Sequence, residues 1–438
     1  MRRVLVLVLH RPASAGDGPL TRGLAAAREE LAGRHLAGFR AAGADEARLV
    51  TEPGDSSPLG TRLARLARDA RPAPDGIVVL GSGALPLARP ADLRRLVEAA
   101  RGATGTALAN NRYSGDAVAV AGAEVLEGLP PLPGDNALPR WLEEVAGYAV
   151  RDLRPMTRLQ LDLDTPLDLL LLAGLPGAPR AIRVAAATLP GPAPARLAAV
   201  RAVLADPRAE LTVAGRTSAA TLAVLERATA CRVRALVEER GLRASSPLAL
   251  GQARSPGTRA GLGTTVGAVD APAVHPTEGA VAGPEVAGPE EVRSGESLAG
   301  EPAGEPAARP QRAPRSALGL LLDRDGPGAL GTLLAGLGEA AVVDTRVLLA
   351  HLLGADDRRW PPDEDRFASD LLLPDRVGDP WLRALTSSAL EAPIPVLLGG
   401  HTLVGPGLRL LARAVPGRLT RAVPKAPGRA APEPGRGR

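Results

Sequence analysis

Two carboxylates one residue apart, Asp162 and Asp164, close an apolar run and open the chain's most chemically suggestive segment, Leu161–Leu169, LDLDTPLDL. On a strand over Thr157–Asp164 their side chains would point to the same face; the plain alternative is a strand end in solvent. Asp168 reads differently. Thr165, Pro166 and Asp168 suit the N-cap, first and third positions of a helix. A second polar island is Asn110–Asp116, which holds two of the three asparagines in the chain. The amides of Asn110 and Asn111 and the carboxylate of Asp116 could read a base or ribose edge, or could simply make a turn. Gly81, Ser82 and Gly83 form a third island, directly after an apolar run. They begin a dinucleotide-type glycine pattern, but Pro86 stands where its last glycine would be, so that reading fails.

The second half carries a different set. Arg216, Thr217 and Ser218 lie between a strand and a helix start, where free N–H groups, hydroxyls and a guanidinium make an anion site. Arg240 and Arg243 follow the next strand. Asp344, Arg346 and His401 are further polar residues in apolar surroundings, and the set suits a phosphorylated or carboxylated ligand. Arg366 and Asp370 are spaced for a helix ion pair.

These islands need a scaffold, and its periodicity is readable. Arg3–Leu9, Ala47–Val50, Ile77–Leu80, Ala107–Ala109 and Ala117–Val120 read as strands, and Thr21–Ala42, Pro58–Ala70, Pro90–Ala100 and Leu138–Ala146 as helices. After Leu172 the expected order is strand Ala181–Ala187, helix Pro194–Leu204, strand Glu210–Ala214, helix Thr217–Ala228 and strand Cys231–Val237. Residues 246–315 are rich in Gly, Pro, Ala and Glu and carry no aromatic residue, which predicts a disordered insert. Helical patterns resume at Ser316, with strands expected at Ala340–Val343 and Ile394–Leu398. Alternating strands and helices predict open, mostly parallel α/β sheets.

Composition removes several function classes. The chain has 438 residues, 45% hydrophobic but 2% aromatic, so its core is built from Leu, Val and Ala. Its one lysine, Lys425, lies in the C-terminal tail, which excludes lysine Schiff-base or lysine–phosphate chemistry in the folded part. One cysteine, Cys231, excludes an internal disulfide framework and a multi-cysteine zinc site. Residues 417–438 carry six basic side chains against one acidic, enough to account for the formal net charge of +5. That basic tail reads as a solvated extension making at most weak nucleic-acid contact. No apolar stretch approaches the roughly 20 residues that span a bilayer, so the expectation is a cytoplasmic protein with no membrane partner.

Two of these segments resemble a known family. Val79–Ala100, VLGSGALPLARPADLRRLVEAA, is similar to the central strand, loop and helix of the nucleotidyltransferases that include 2-phospholactate guanylyltransferase and molybdenum-cofactor guanylyltransferase. Leu161–Leu169 is similar to that family's closing motif, and Leu36–Val50 is a weaker third match. The resemblance covers about the first 170 residues. It implies a Rossmann-like, GT-A-type sheet and a nucleoside triphosphate or other small anion near Gly81, Ser82, Gly83, Asn110, Asn111 and Asp116. It also implies Mg²⁺ on Asp162 and Asp164. Two departures stand out. Ala84 occupies the place of a strand-end aspartate, and Leu9–Asp17 is not the family's glycine-rich opening loop.

The organisation expected is therefore a nucleotidyltransferase-like domain at 1–175 and a second α/β domain at 178–245 plus 316–412, followed by the tail. The leading function is Mg²⁺-dependent transfer of a nucleoside monophosphate to a small acceptor. The alternative is a lapsed transferase acting as a binding or regulatory scaffold, with an anion or phosphometabolite site in the second domain.

Overall fold

The computed structural model describes residues 2–51, 57–113, 115–132, 137–238, 315–353 and 360–413. Arg240 and Arg243, residues 246–314 of the expected insert, and the basic tail lie outside those residues. The described chain builds a mixed α/β structure around two sheets. The first contains β1 (Val4–His10), β2 (Glu46–Thr51), β3 (Gly76–Gly81), β4 (Thr106–Ala109), β5 (Ala117–Ala121) and β6 (Ala149–Asp152), in the order β2-β1-β3-β5-β4-β6. β1 pairs parallel with β2 and β3, whereas β5 runs antiparallel to both of its neighbours.

Continuous apolar runs build this sheet because both faces are covered. Val4, Val6, Val8, Val78 and Leu80 pack under the helices Pro19–Ala41 and Pro90–Ala100, where Phe39, Leu93, Leu96 and Val97 meet them. The alternate residues Leu5, Leu7, Ile77 and Val79 pack on the opposite side with Leu63 and Leu142. The period of two along each strand produces that division, and each fully buried Leu or Val contributes roughly 1.5–3 kcal/mol.

The second sheet contains β7 (Glu210–Gly215), β8 (Arg232–Val237), β9 (Ala340–Asp344) and β10 (Val396–Gly399), all parallel, in the order β10-β9-β7-β8. Its strands come from both sides of residues 239–314. The ends of that segment are held together: Glu238 accepts hydrogen bonds from the Ser316 hydroxyl at 2.7 Å and from the Ala317 backbone N–H at 3.0 Å.

Two expected strands are absent. Ala181–Ala187 belongs to the helix Arg180–Ala187. Ile182 and Ala186, four residues apart, are buried while Val184 between them is exposed, which is the helical period. Thr157–Asp164 is not a strand either: Thr157–Leu159 is a short helical turn, and the segment touches the sheet through one bridge, Ala84 with Asp162. Among the described residues, no helix is long and apolar enough to cross a membrane.

Candidate functional site

β3 ends at Gly81, and the loop after it is held tightly. The Ser82 backbone N–H donates to the Leu9 carbonyl at 2.8 Å, and the Ser82 hydroxyl lies 3.0 Å from His10 Nδ1. Leu85 takes a left-handed backbone, φ 53°. Leu161–Leu163 is latched alongside: Leu85 N–H donates to the Leu161 carbonyl and Leu163 N–H to the Gly83 carbonyl, at 3.3 and 3.1 Å. This latch brings the two resembling segments together although about 80 residues separate them in sequence. Gly83 is required there, because a Cβ on it would lie 2.7 Å from Asp162 Oδ1 and 2.9 Å from the Leu163 carbonyl. His35, buried under the loop, contacts the Ala84 carbonyl through Nε2 at 2.7 Å.

Asp162 Oδ1 accepts the Leu163 N–H at 2.8 Å. Asp164 is more open, its side chain 59% exposed, with Oδ1 3.6 Å from an Arg28 guanidinium nitrogen. Asp168 caps the following helix. Its Oδ2 takes hydrogen bonds from the N–H of Asp164, the N–H of Thr165 and the Thr165 hydroxyl, at 3.0, 2.8 and 3.2 Å. Burial, with the neighbouring Asp164 and Asp370 carboxylates adding to it, pushes Asp168 up to about 8, against the pull of the two N–H donors.

The asparagines divide in role. Asn110 is buried and its amide is spent on structure: Nδ2 donates to Asp116 Oδ2 and the Leu159 carbonyl, and Oδ1 accepts the Ala117 N–H. Asn111 Oδ1 accepts the Tyr113 N–H across a turn. Asp116 stands between two hollows. One is an apolar pocket of about 310 Å³ lined by Leu9, Leu59, Leu63, Val79, Leu138 and the Gly81 backbone. The other is a polar cleft of about 90 Å³. Asn111, Asp116, Gln160, Asp162 and Asp164 form one wall of the cleft, and Ser218, His401, Thr402 and Arg409 form the other. Gln160 and Arg409 were not among the expected site residues; an arginine inside the apolar run Leu408–Ala412 was the available signal.

The second wall stands at the carboxyl edge of the second sheet. Gly215 ends β7 at φ +139°, and a Cβ there would lie 2.3 Å from the Asp344 Cβ, so glycine lets β9 end against it. Arg216 grips Asp344 with two hydrogen bonds of 2.8 and 3.0 Å. Arg346 grips Asp370 in the same way, at 2.8 and 2.6 Å. Burial works to raise the Asp344 pKa, yet Arg216, His401 and Arg346 together hold it below the ordinary carboxylate value. Arg216, Arg346, Asp344 and His401 are therefore neighbours, with both guanidiniums already paired to buried carboxylates. Ser218 caps the helix Ala219–Ala228 by accepting the Thr221 N–H. The buried Thr217 hydroxyl has no hydrogen-bond partner among the described residues.

Among the described residues no group of three or more His, Cys, Asp or Glu is arranged to hold a metal ion. Two carboxylates on one cleft wall suit Mg²⁺, which is commonly held by one or two carboxylates with substrate phosphates completing the shell.

No protein-family model matches the sequence, and no curated protein matches it. Among solved structures, the crystal structure of Rv0371c from Mycobacterium tuberculosis H37Rv is similar at 21% identity, over 35% of this chain and 87% of that one, with a TM-score of 0.23.

Proposed function

We propose that this chain is a nucleotidyltransferase-type protein, with a GT-A-like first domain, that binds a nucleoside triphosphate at the carboxyl edge of its first sheet. The observation that carries this reading is the position of Asp116, between an apolar pocket about large enough for a base and a cleft whose same wall presents Asp162 and Asp164. Ligands of open α/β sheets collect at such strand ends. The base would enter the pocket beside Gly81, with the phosphates turned past Asp116 toward the two aspartates. Mg²⁺ held there supplies charge neutralisation for the triphosphate. An acceptor oxygen attacks the α-phosphorus, the new P–O bond forms, and the bond to pyrophosphate breaks as pyrophosphate leaves. Asp162 and Asp164 orient the triphosphate for that in-line geometry, and Gln160 faces the same space.

A second reading, nucleotide binding without turnover, is favoured by Ala84, which offers a methyl group where the resembling family has a carboxylate. The two are separated by measurement. Calorimetric titration with the four common nucleoside triphosphates and Mg²⁺ is expected to find one that binds. Pyrophosphate release with that nucleotide supports transfer, and binding with no release supports the scaffold. Asp162→Asn or Asp164→Asn is expected to reduce release on the order of 100-fold, the several kcal/mol that a metal contributes to phosphoryl charge stabilisation. Failure of all four nucleotides to bind removes both readings. We also propose the division into two α/β domains, and a cytoplasmic location.

A further inference from the structure

We propose that Arg409 and His401, on the second-sheet wall of the cleft, form an oxyanion subsite that takes the phosphate or carboxylate group of the acceptor. The assignment of an acceptor rests on the transferase reading, whereas the oxyanion subsite stands on its own geometry.

The charge pairing at this edge is the starting point. Arg216 is neutralised by Asp344 and Arg346 by Asp370, each through two hydrogen bonds. Across the cleft, Arg28 lies 3.6 Å from Asp164. Arg409 differs. It is half-buried, its Nε donates to the Thr221 hydroxyl at 3.0 Å, and it has no carboxylate partner among the described residues. Burial lowers its pKa, and a second cation, Arg413, adds to that shift. A guanidinium held in place, partly desolvated and without an anion, is costly unless a ligand supplies the charge. Its remaining nitrogens keep the fork that matches a carboxylate or phosphate.

The surroundings fit that ligand. Thr221, which anchors Arg409, lies in the first turn of the helix Ala219–Ala228, and Ser218 at its N-cap lines the same cleft. The positive end of a helix adds to the guanidinium field. His401 and Thr402 line the wall beside it, where the chain breaks from helical geometry at Gly405 (φ −107°, ψ −106°) before Pro406. At about 90 Å³ the cleft falls well below the roughly 300 Å³ at which ordinary small-molecule pockets begin. That volume has no room for a base, which the transferase reading places in the apolar pocket beside Gly81, and it suits single anionic groups such as phosphate. The acidic wall opposite repels that group electrostatically until a cation lies between them, which places the subsite on the second-sheet side.

The test uses the full chain and inorganic phosphate, titrated calorimetrically with and without a saturating non-hydrolysable nucleoside triphosphate and Mg²⁺. Phosphate is expected to bind in both conditions, and more tightly with the nucleotide and Mg²⁺ present, because the cation screens the acidic wall. Arg409→Gln and His401→Gln are each expected to weaken it about tenfold or more while nucleotide affinity stays unchanged. The second variant keeps the test decisive if the first does not fold. Competition between phosphate and the nucleotide analogue overturns the acceptor assignment, because the subsite then belongs to the nucleotide's own phosphates. No phosphate binding, or binding indifferent to both variants, overturns the subsite itself. Phosphate binding by a chain that binds no nucleotide leaves the subsite standing and removes the transferase reading. Acetate in a parallel titration separates carboxylate from phosphate preference.

Discussion

His35 shows how much one side chain sets in this fold. It is buried beneath the loop after β3 and its Nε2 contacts the Ala84 carbonyl, so the ring must be in the Nε2–H tautomer to donate there. Burial drives its pKa down to about 4; the Ala84 hydrogen bond opposes that shift and Arg34 adds to it. A histidine depressed in the folded state takes up its proton on unfolding, so stability is lost as pH falls from about 6.5 toward 4. Between pH 6.5 and 5 that loss is expected to reach about 1.5 kcal/mol. Denaturant titrations of wild type and His35→Gln at both pH values check it. The variant should shed most of that slope, because glutamine can donate to the same carbonyl without a proton to gain. Gly83→Ala tests the neighbouring contact: the added methyl would meet Asp162 Oδ1 at 2.7 Å. It is expected to displace that carboxylate and to weaken Mg²⁺-nucleotide binding about tenfold or more, read by calorimetry.

Among the elements, partner choice separates what is local from what is not. The capping box at Thr165 was legible because it is contained in four residues: Asp168 Oδ2 accepts the Thr165 N–H at 2.8 Å. The spacing of Arg366 and Asp370 was equally local and misleading. Arg366 pairs with Asp363, and Asp370 is taken by Arg346 from the helix after β9. A fully buried carboxylate takes whichever cation can follow it out of water, and Arg346 is the buried one. Asp370→Ala therefore leaves a buried guanidinium unpaired and is expected to cost about 3–5 kcal/mol. Replacing the pair by Arg346→Met with Asp370→Leu should recover much of that, measured by chemical denaturation. β6, AVRD, escaped the sequence reading because its alternate residues are exposed and it is four residues long. Ala181–Ala187 misled in the opposite sense, since a short apolar run fits a buried strand and a helix equally until its neighbours choose.

For the whole molecule, the two sheets share a core more than the sequence implies. Leu20, Leu24 and Leu31 of the first long helix, and Leu161–Leu172, join one buried cluster with the second sheet. Glu364 adds a polar clamp, accepting the backbone N–H of Leu20 and Thr21 and the Thr21 hydroxyl at 3.0, 2.9 and 2.9 Å. It satisfies first-turn N–H groups of a helix more than 300 residues away in sequence. Glu364→Ala is expected to cost about 1–2 kcal/mol, as the loss of a capping side chain does. Scanning calorimetry should show one unfolding transition for the wild-type chain, because the shared core couples the halves. Two separated transitions would contradict that coupling.

The amino-acid sequence alone determined the strand periods of β1 to β5 and the helices that cover them, the glycine-rich turn after β3, the helix cap at Thr165 and the predominance of aliphatic residues in the core. Each of those depends on interactions within a few residues or on composition. Only the tertiary structure decided that Asp162 lies against Gly83, that Arg216 and Arg346 are matched to buried aspartates, and that Arg409 lines a cleft opposite Asp164. Those outcomes follow from segments tens to hundreds of residues apart crossing at two sheet edges. There, desolvation makes each buried charge select its partner in space, not in sequence.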